Sequence, residues 1–258
     1  MALTGGPAVG SELRVVADAW LGTHLGREAF RVDVPDPPPS LDACAAALDD
    51  HARRHPGAMY YAKVTSTSID AVRALAAAGF YVVDVNVTLS RSVDAAPRVA
   101  AAGGVVVRPA QPADTDGVLA IAGSAFRYSR FHLDPMIPVA TAHALKRAWI
   151  ESYVTGARGD RLFVALDRDE RPVGFLAALV GAGEESAAVI DLIATRSDRQ
   201  RTGAGTALVG AFFAHYAGRC SGYLVGTQAA NVPSLTFYQR LGFAVARTAY
   251  VLHKHVPA

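Results

Sequence analysis

Residues 189–213, VIDLIATRSDRQRTGAGTALVGAFF, constrain the fold more than any other stretch. The run begins with β-branched and aliphatic residues, Val189, Ile190, Leu192 and Ile193, the pattern of a buried strand. Arg196, Asp198, Arg199 and Arg201 then surround Thr202-Gly203-Ala204-Gly205, and a helical pattern follows. Strand, glycine-rich turn and helix in this order bring unpaired backbone N–H groups and a positive helix end to one point, an anion site by construction. Gly203 and Gly205 let a phosphate approach the main chain without a Cβ in the way. Spacing excludes two familiar loops. The third glycine of a dinucleotide-binding G-x-G-x-x-G is replaced by Leu208, and a Walker loop requires a lysine that this segment lacks. A glycine turn that does no more than start a helix is the plain alternative.

The 258 residues suffice for one large domain or two small ones. With 51% hydrophobic and 19% charged residues the chain has the composition of a globular protein, and a formal net charge of +2 argues against nucleic acid as its main partner. Cys44 and Cys220 fit no metal or redox spacing, so two unpaired thiols and a cytoplasmic setting are expected, and no metal site. The first residues lack the pattern of a signal peptide and no apolar run of about 18 residues occurs, so neither export by that route nor a membrane span is expected.

Along the chain, alternation predicts strands near residues 13–16 and 30–34, before Pro35 and Pro37 to Pro39. Helices are expected over 41–55 and 68–78 and strands over 59–64 and 80–89. His51 and His55 stand four apart on the first helix, but without a third ligand nearby they read as a solvated face. Residues 94–104, DAAPRVAAAGG, read as a linker, giving an N-terminal domain of 1–93 and a second domain of 105–258. In the latter, strands are expected over 105–108, 161–166, 172–180, 187–195, 223–227 and 244–253, with helices over 114–125, 139–155 and 234–241 and a loop over 126–138. This mixed order points to an α/β sheet with helices on both faces. Gly79-Phe80 and Gly242-Phe243 lie 163 residues apart, and both close a helix before a strand. The first part therefore reads as an incomplete, chemically silent copy of the second, with Leu75 where the second has Tyr238 and no glycine-rich loop.

Gln200-x-x-Gly203-x-Gly205 and Asn231-x-x-Ser234-x-x-Phe237-Tyr238-x-x-x-Gly242-Phe243 together resemble the pyrophosphate loop and closing motif of the GNAT superfamily of N-acetyltransferases. The resemblance implies a GNAT-type mixed sheet preceded by an incomplete GNAT-like N-terminal domain, acetyl-CoA as cofactor and a possible homodimer. It implies that main-chain groups of Leu192, Ile193, Ala194 and Thr195 pair with pantetheine. Arg199, Gln200, Arg201, Thr202, Gly203, Ala204, Gly205 and Thr206 would face the pyrophosphate, with Asn231, Ser234 and Tyr238 also at the cofactor. When an amine displaces a thioester, a thiolate leaves whose conjugate acid has a pKa of ~8.5. A phenol beside it donates a proton or hydrogen bond as the charge develops, which makes Tyr238 the candidate acid. The base candidates are Asp191, His132, Asp134, Glu184 and Glu185.

The 126–138 loop, FRYSRFHLDPMIP, gathers Tyr128, Arg130, Phe131, His132 and Asp134 where GNAT enzymes place acceptor-binding residues. Phe126-x-x-Ser129-Arg130-Phe131, Gly226-Thr227-Gln228 and Thr248-Ala249-Tyr250-x-Leu252 are similar to the TDP-fucosamine N-acetyltransferases, which acetylate the 4-amino group of a nucleotide-linked dideoxyhexose. That narrower resemblance implies a small-molecule acceptor, a nucleotide-linked amino sugar, with Arg130 on its diphosphate and Phe131 or Tyr128 stacked on a ring. Other amines (an antibiotic, a polyamine or a protein N-terminus) and a non-catalytic acyl-CoA-binding module are the alternatives.

Overall fold

The computed structural model describes residues 12–94, 104–181 and 186–258. Most of the expected linker and both Glu184 and Glu185 lie outside these residues. The elements run β1 (Arg14–Ala17), α1 (Ala19–Leu25), β2 (Ala29–Asp33), α2 (Leu41–Arg54), β3 (Met59–Thr65), α3 (Ile69–Ala77) and β4 (Tyr81–Ser92) in the first part. The second part has β5 (Val106–Pro109), α4 (Thr115–Ala122), α5 (Val139–Val154), β6 (Arg161–Leu166), β7 (Pro172–Val180) and β8 (Ala187–Thr195), then α6 (Ala204–Tyr216), β9 (Gly222–Gln228), α7 (Val232–Arg240) and β10 (Ala244–His255). Helix α1 has no counterpart in the sequence reading. It is seven residues long, capped by the Asp18 carboxylate accepting from the Leu21 N–H and closed by left-handed Gly26, and it buries only Leu21. A stripe that short carries no helical periodicity.

The ten strands among the described residues form one mixed sheet in the order β1-β2-β3-β10-β4-β9-β8-β7-β6-β5. Helices α2, α3, α6 and α7 cover one face, over two apolar clusters built around Phe30, Tyr60, Leu75 and Leu252 and around Leu89, Leu208, Phe212 and Phe243. The opposite face carries α1, α4, α5 and the 126–138 loop, over clusters that include Phe175, Ile150 and Leu192 and, nearer β3, Met59, Tyr61, Phe131 and Leu145. His51 is not on a solvated face: its Nδ1 lies 2.8 Å from the Tyr60 hydroxyl, and its ring stacks on His55 and meets Phe30 edge-on.

The echo at 163 residues is present in the pairing of the strands. Asn86 to Ser92 of β4 pair with Gln228 to Gly222 of β9, and the counterparts Ala249 to His255 of β10 pair with Thr65 to Met59 of β3. In the middle, β4 and β10 pair antiparallel, Tyr81 with His253 and Ser90 with Ala244, each pair the image of the other. The parallel pairs β2–β3 and β8–β9 correspond too, Ala29 facing Met59 and Ala187 facing Gly222. Leu75 and Tyr238 occupy matching positions and are both buried. Each half thus places its last strand between the other's strands, so the sheet does not divide where the sequence does. Residues 105–258 expressed alone would leave β9 and β10 without their main-chain partners. We expect that fragment to be insoluble or to lack a cooperative thermal transition by circular dichroism, and to regain one on co-expression with residues 1–104.

Candidate active site

Strand β8 pairs with β9 only from Ala187 to Ile190, facing Gly222 to Val225, although β8 continues to Thr195 and β9 to Gln228. The divergence begins at an irregularity on the other edge of β8. Ala178 faces Ile190 and Ala177 faces Leu192, so Asp191 is an extra residue in the ladder. Such a bulge bends its strand and sharpens the local twist. Leu192, Ile193, Ala194 and Thr195 therefore have no ladder partner on the β9 side among the described residues, and a V-shaped slot opens between the strands. Gly174 of β7 holds the far wall close: a Cβ there would sit 2.9 Å from the Ala194 carbonyl oxygen.

The turn at the mouth of the slot is shaped by two positive backbone angles, φ 63° at Arg201 and φ 92° at Gly203. Helix α6 begins at Ala204, Gly203 offers it no capping side chain, and the Ala207 N–H bonds the Gly203 carbonyl. The N–H groups of Ala204, Gly205 and Thr206 precede any intrahelical acceptor and point out of the helix end. Gly205 lies beneath α7, its missing Cβ 3.4 Å from Phe237 Cζ and 4.0 Å from Thr195 Cγ2. Arg196 forks onto Asp198 at 2.6 and 3.1 Å, Arg199 lies 3.7 Å from Asp167, and the Thr202 hydroxyl donates to the Arg199 carbonyl. Arg199, Gln200 and Arg201 are exposed. Exposed pairs of this kind are worth little and exchange readily for an incoming anion.

Helix α7 supplies the third wall. Asn231 is its N-cap, Oδ1 accepting from the Ser234 N–H at 3.3 Å. Tyr238 is 3% exposed, between Phe237 and Phe243, and burial pushes its hydroxyl well above the usual phenol range. It is therefore held protonated, the state required of a donor.

Asp191 points to the α5 side. Its Oδ2 accepts from Trp149 Nε1 at 2.8 Å, the Tyr153 hydroxyl at 2.7 Å and Arg158 Nε at 3.0 Å. The bulged residue is thus tied down by α5 and the segment after it. Beside it the Lys146 ammonium lies between the rings of Phe126 and Trp149, at 5.0 and 4.9 Å. Burial lowers the pKa of Lys146 to about 8, against the pull of Asp191 and with help from Arg130 and Arg158.

The 126–138 loop splits into two kinds of residue. Phe131 and Asp134, each 2% exposed, face inward. The Asp134 carboxylate accepts from Tyr81, the Met136 N–H, His253 and His255. Burial alone would raise its pKa, but these donors outweigh that and hold it far below the carboxylate range. Arg130 Nη1 reaches His253 Nε2 at 3.4 Å and Arg27 Nη2 reaches His255 Nδ1 at 2.7 Å. A guanidinium only donates, so the ring nitrogens facing Arg130 and Arg27 accept, and the other ring nitrogens donate to Asp134. Burial takes His253 to about 4. The three ligand-type atoms of Asp134, His253 and His255 lie within 4.8 Å of one another, but this tautomer pattern points two N–H groups where a cation would sit. The Arg130 guanidinium stacks 3.9 Å from the Tyr61 ring centre and 4.5 Å from that of Phe131. Tyr128 is exposed and His132 half-buried, its pKa lowered to about 4 by burial and by His143 and Lys146. Two surface clefts, lined by Pro109, Tyr153 and Asp160 and by Asp18, Thr23 and Glu28, contain none of the slot residues. The site is made by the divergence of β8 from β9.

Sequence reasoning missed Lys146, Trp149, Tyr153 and Arg158 as neighbours of Asp191, and Tyr61, Tyr81, His253 and His255 as neighbours of the loop. The only available signal was Trp149 and Tyr153 four apart on one helix face. The other contacts join residues more than 30 positions apart.

Residues 128–243 match the family model described as Acetyltransferase (GNAT) family, a span that includes the slot, the turn and the Asn231 to Phe243 motif. The whole architecture is similar to a GCN5-related N-acetyltransferase from Sphaerobacter thermophilus (TM-score 0.66, 14% identity, covering 95% of this chain and 76% of that one). It is also similar to a tandem GNAT protein from the clavulanic acid biosynthesis pathway (TM-score 0.61, 14% identity, 88% and 75%) and to a GCN5-related N-acetyltransferase from Kribbella flavida (TM-score 0.59, 17% identity, 90% and 82%). No curated protein matches the sequence. The fold is thus a mixed α/β sheet of the GNAT type, the segment bearing the slot is similar to GNAT acetyltransferases, and the two-part arrangement is like that of tandem GNAT proteins. No helix among the described residues is long and apolar enough to cross a membrane.

Two outcomes follow from the geometry. Gly203→Ala forces a side chain into the left-handed region and should cost roughly 1–2 kcal/mol of stability, read from urea unfolding midpoints. Asp191→Ala strands the donors of buried Tyr153 and half-buried Trp149 and Arg158 and should cost roughly 3 kcal/mol, a markedly larger drop in the same assay.

Proposed function

We propose that this protein is an acetyl-CoA-dependent N-acetyltransferase whose acceptor is the amino group of a nucleotide-linked amino sugar, a 4-amino-4,6-dideoxyhexose. The observation that carries the coenzyme reading is the coincidence of an open strand edge with an uncapped helix end: β8 leaves β9 just before a turn whose N–H groups have no acceptor. These groups suit a diphosphate followed by an extended amide chain, and the left-handed Gly203 leaves room for it. Bound acetyl-CoA supplies an activated acyl group and a thiol leaving group.

The chain's own residues divide the remaining work. The N–H groups of Ala204, Gly205 and Thr206 hold the diphosphate, flanked by Arg199, Gln200, Arg201 and Thr202. The open edge of Leu192, Ile193, Ala194 and Thr195 aligns the amide chain, and Asn231 and Ser234 close on it from α7. The Tyr238 hydroxyl, kept protonated by burial, donates to the sulfur as charge develops there. For removal of the acceptor's proton Asp191 has Oδ1 to offer, because Oδ2 already accepts from three donors. Tyr128, His132 and Arg130 line the acceptor's approach, while Phe131 and Asp134 hold the loop from beneath.

Three short sequence patches support the sugar-nucleotide acceptor. So does the gathering of Arg130, Lys146 and Arg158 on the α5 side of the slot, which suits an anionic acceptor. A cytoplasmic homodimer completes the proposal. The rival is another amine served by the same machinery. Thiol release from acetyl-CoA, measured with a panel of amines that includes a TDP-linked 4-amino-4,6-dideoxygalactose, decides between them; a higher kcat/KM for an antibiotic, polyamine or peptide amine overturns the sugar assignment. With the best acceptor, Tyr238→Phe should lower kcat by about 10²- to 10⁴-fold and leave acetyl-CoA affinity by calorimetry unchanged. An unaltered kcat removes Tyr238 from the chemistry.

A further inference from the structure

The first half lacks the glycine turn and the buried tyrosine, yet it places one unsatisfied charge in the middle of the sheet. Asp84 of β4 is 5% exposed, and its Oδ1 is a buried oxygen without a hydrogen-bond partner. An orphaned carboxylate oxygen in a protein interior is costly, so such an atom calls for an explanation. No packing requirement supplies one, because a neutral side chain of the same size would fill the position without the penalty.

Its surroundings point to a ligand. Asp84 pairs with Val251 of β10, which pairs in turn with Lys63 of β3, so all three residues share one face of the sheet. Two positions along, Asn86 of β4 pairs with Gln228, the last residue of β9, beside the open part of the slot. This is the face covered by α5 and the 126–138 loop, since Tyr61 of β3 lies on it in the cluster with Phe131 and beneath Arg130. Lys63, Asn86, Arg130 and Gln228 are all half-buried, neither core nor outer surface. Lys63 and Arg130 are close enough to act on Asp84 electrostatically, and Gln228 hydrogen-bonds its carboxyl group. These contacts and the neighbouring Val85 N–H do not offset burial, which lifts Asp84 to about 7; burial and Arg247 bring Lys63 down to about 8.

We infer that the half without a coenzyme turn supplies acceptor recognition: Asp84 Oδ1 takes an N–H or O–H donor of the acceptor bound across the α5 side of the slot, making Asp84 a specificity-determining residue. This rests on the acetyltransferase reading above. The acceptor class it defines is an amine that bears a second polar donor, held on β4 while the reacting nitrogen lies at the slot. The exchange of β4 between the halves is what brings this strand alongside β9.

The test uses the full-length protein, acetyl-CoA and the same amine panel. Asp84→Asn should raise the KM of every accepted polar amine at least tenfold and leave the KM of acetyl-CoA unchanged. Its melting temperature should equal or exceed that of the unmutated protein at pH 8, because a buried charge has been removed. Asp84→Glu should recover part of the acceptor KM, and Asp70→Asn, on the exposed side of α3, should match the unmutated protein throughout. A lower melting temperature for Asp84→Asn with an unaltered acceptor KM overturns the inference and makes Asp84 a structural residue. Equal rises in both KM values also overturn it. If the unmutated protein binds no acetyl-CoA and transfers to no amine, the enzyme reading fails and takes the inference with it, an outcome distinguishable from a failure of Asp84 alone.

Discussion

The structure depends on the reciprocal pairing of β4 with β10. Each of these strands ends one half of the chain and sits against a strand of the other: β4 on β9, β10 on β3. Main-chain hydrogen bonds that would close two small sheets instead join them into one, and the pairing of β4 with β10 makes the seam continuous. This ladder also fixes what lies beside the slot. Because β9 is supported on its far side by β4, β8 can leave it after Ile190 without exposing a free two-stranded edge.

The slot in turn relies on one bulged residue. Asp191 joins a geometric event, the extra residue in β8, to a chemical one, an acceptor for Trp149, Tyr153 and Arg158. Had the bulge been unsecured, β8 could have slipped back into register with β9 and shut the gap. Placing a carboxylate with three donors at that position sets the bend, at the expense of burying a charge that has to stay paired.

Much of this could be read from the sequence, and the rest for physical reasons could not. Long strands such as β7 and β8 and helices such as α5 announce themselves by apolar runs and periodicity, and the Gly203 turn announces itself because few backbones need two glycines beside arginines. The motif Asn231 to Phe243 was legible for the same reason, its capping and glycine signals being local. Contacts between distant positions left no such trace. Nothing in the FRYSRFHLDP segment distinguishes Phe131 and Asp134, which turn inward to Tyr61 and His253, from Tyr128, which faces water. Likewise the exchange of β4 and β10 leaves the strand patterns as they would be in two separate sheets, so the pairing that joins the two parts into one sheet left no trace in the sequence.

Gly203 gives α6 a start that no side chain completes. A helix finished from outside ties part of the molecule's folding free energy to whatever anion arrives, by mass action. On the proposed reading that anion is the coenzyme's diphosphate, and the molecule's resistance to heat would rise with its concentration.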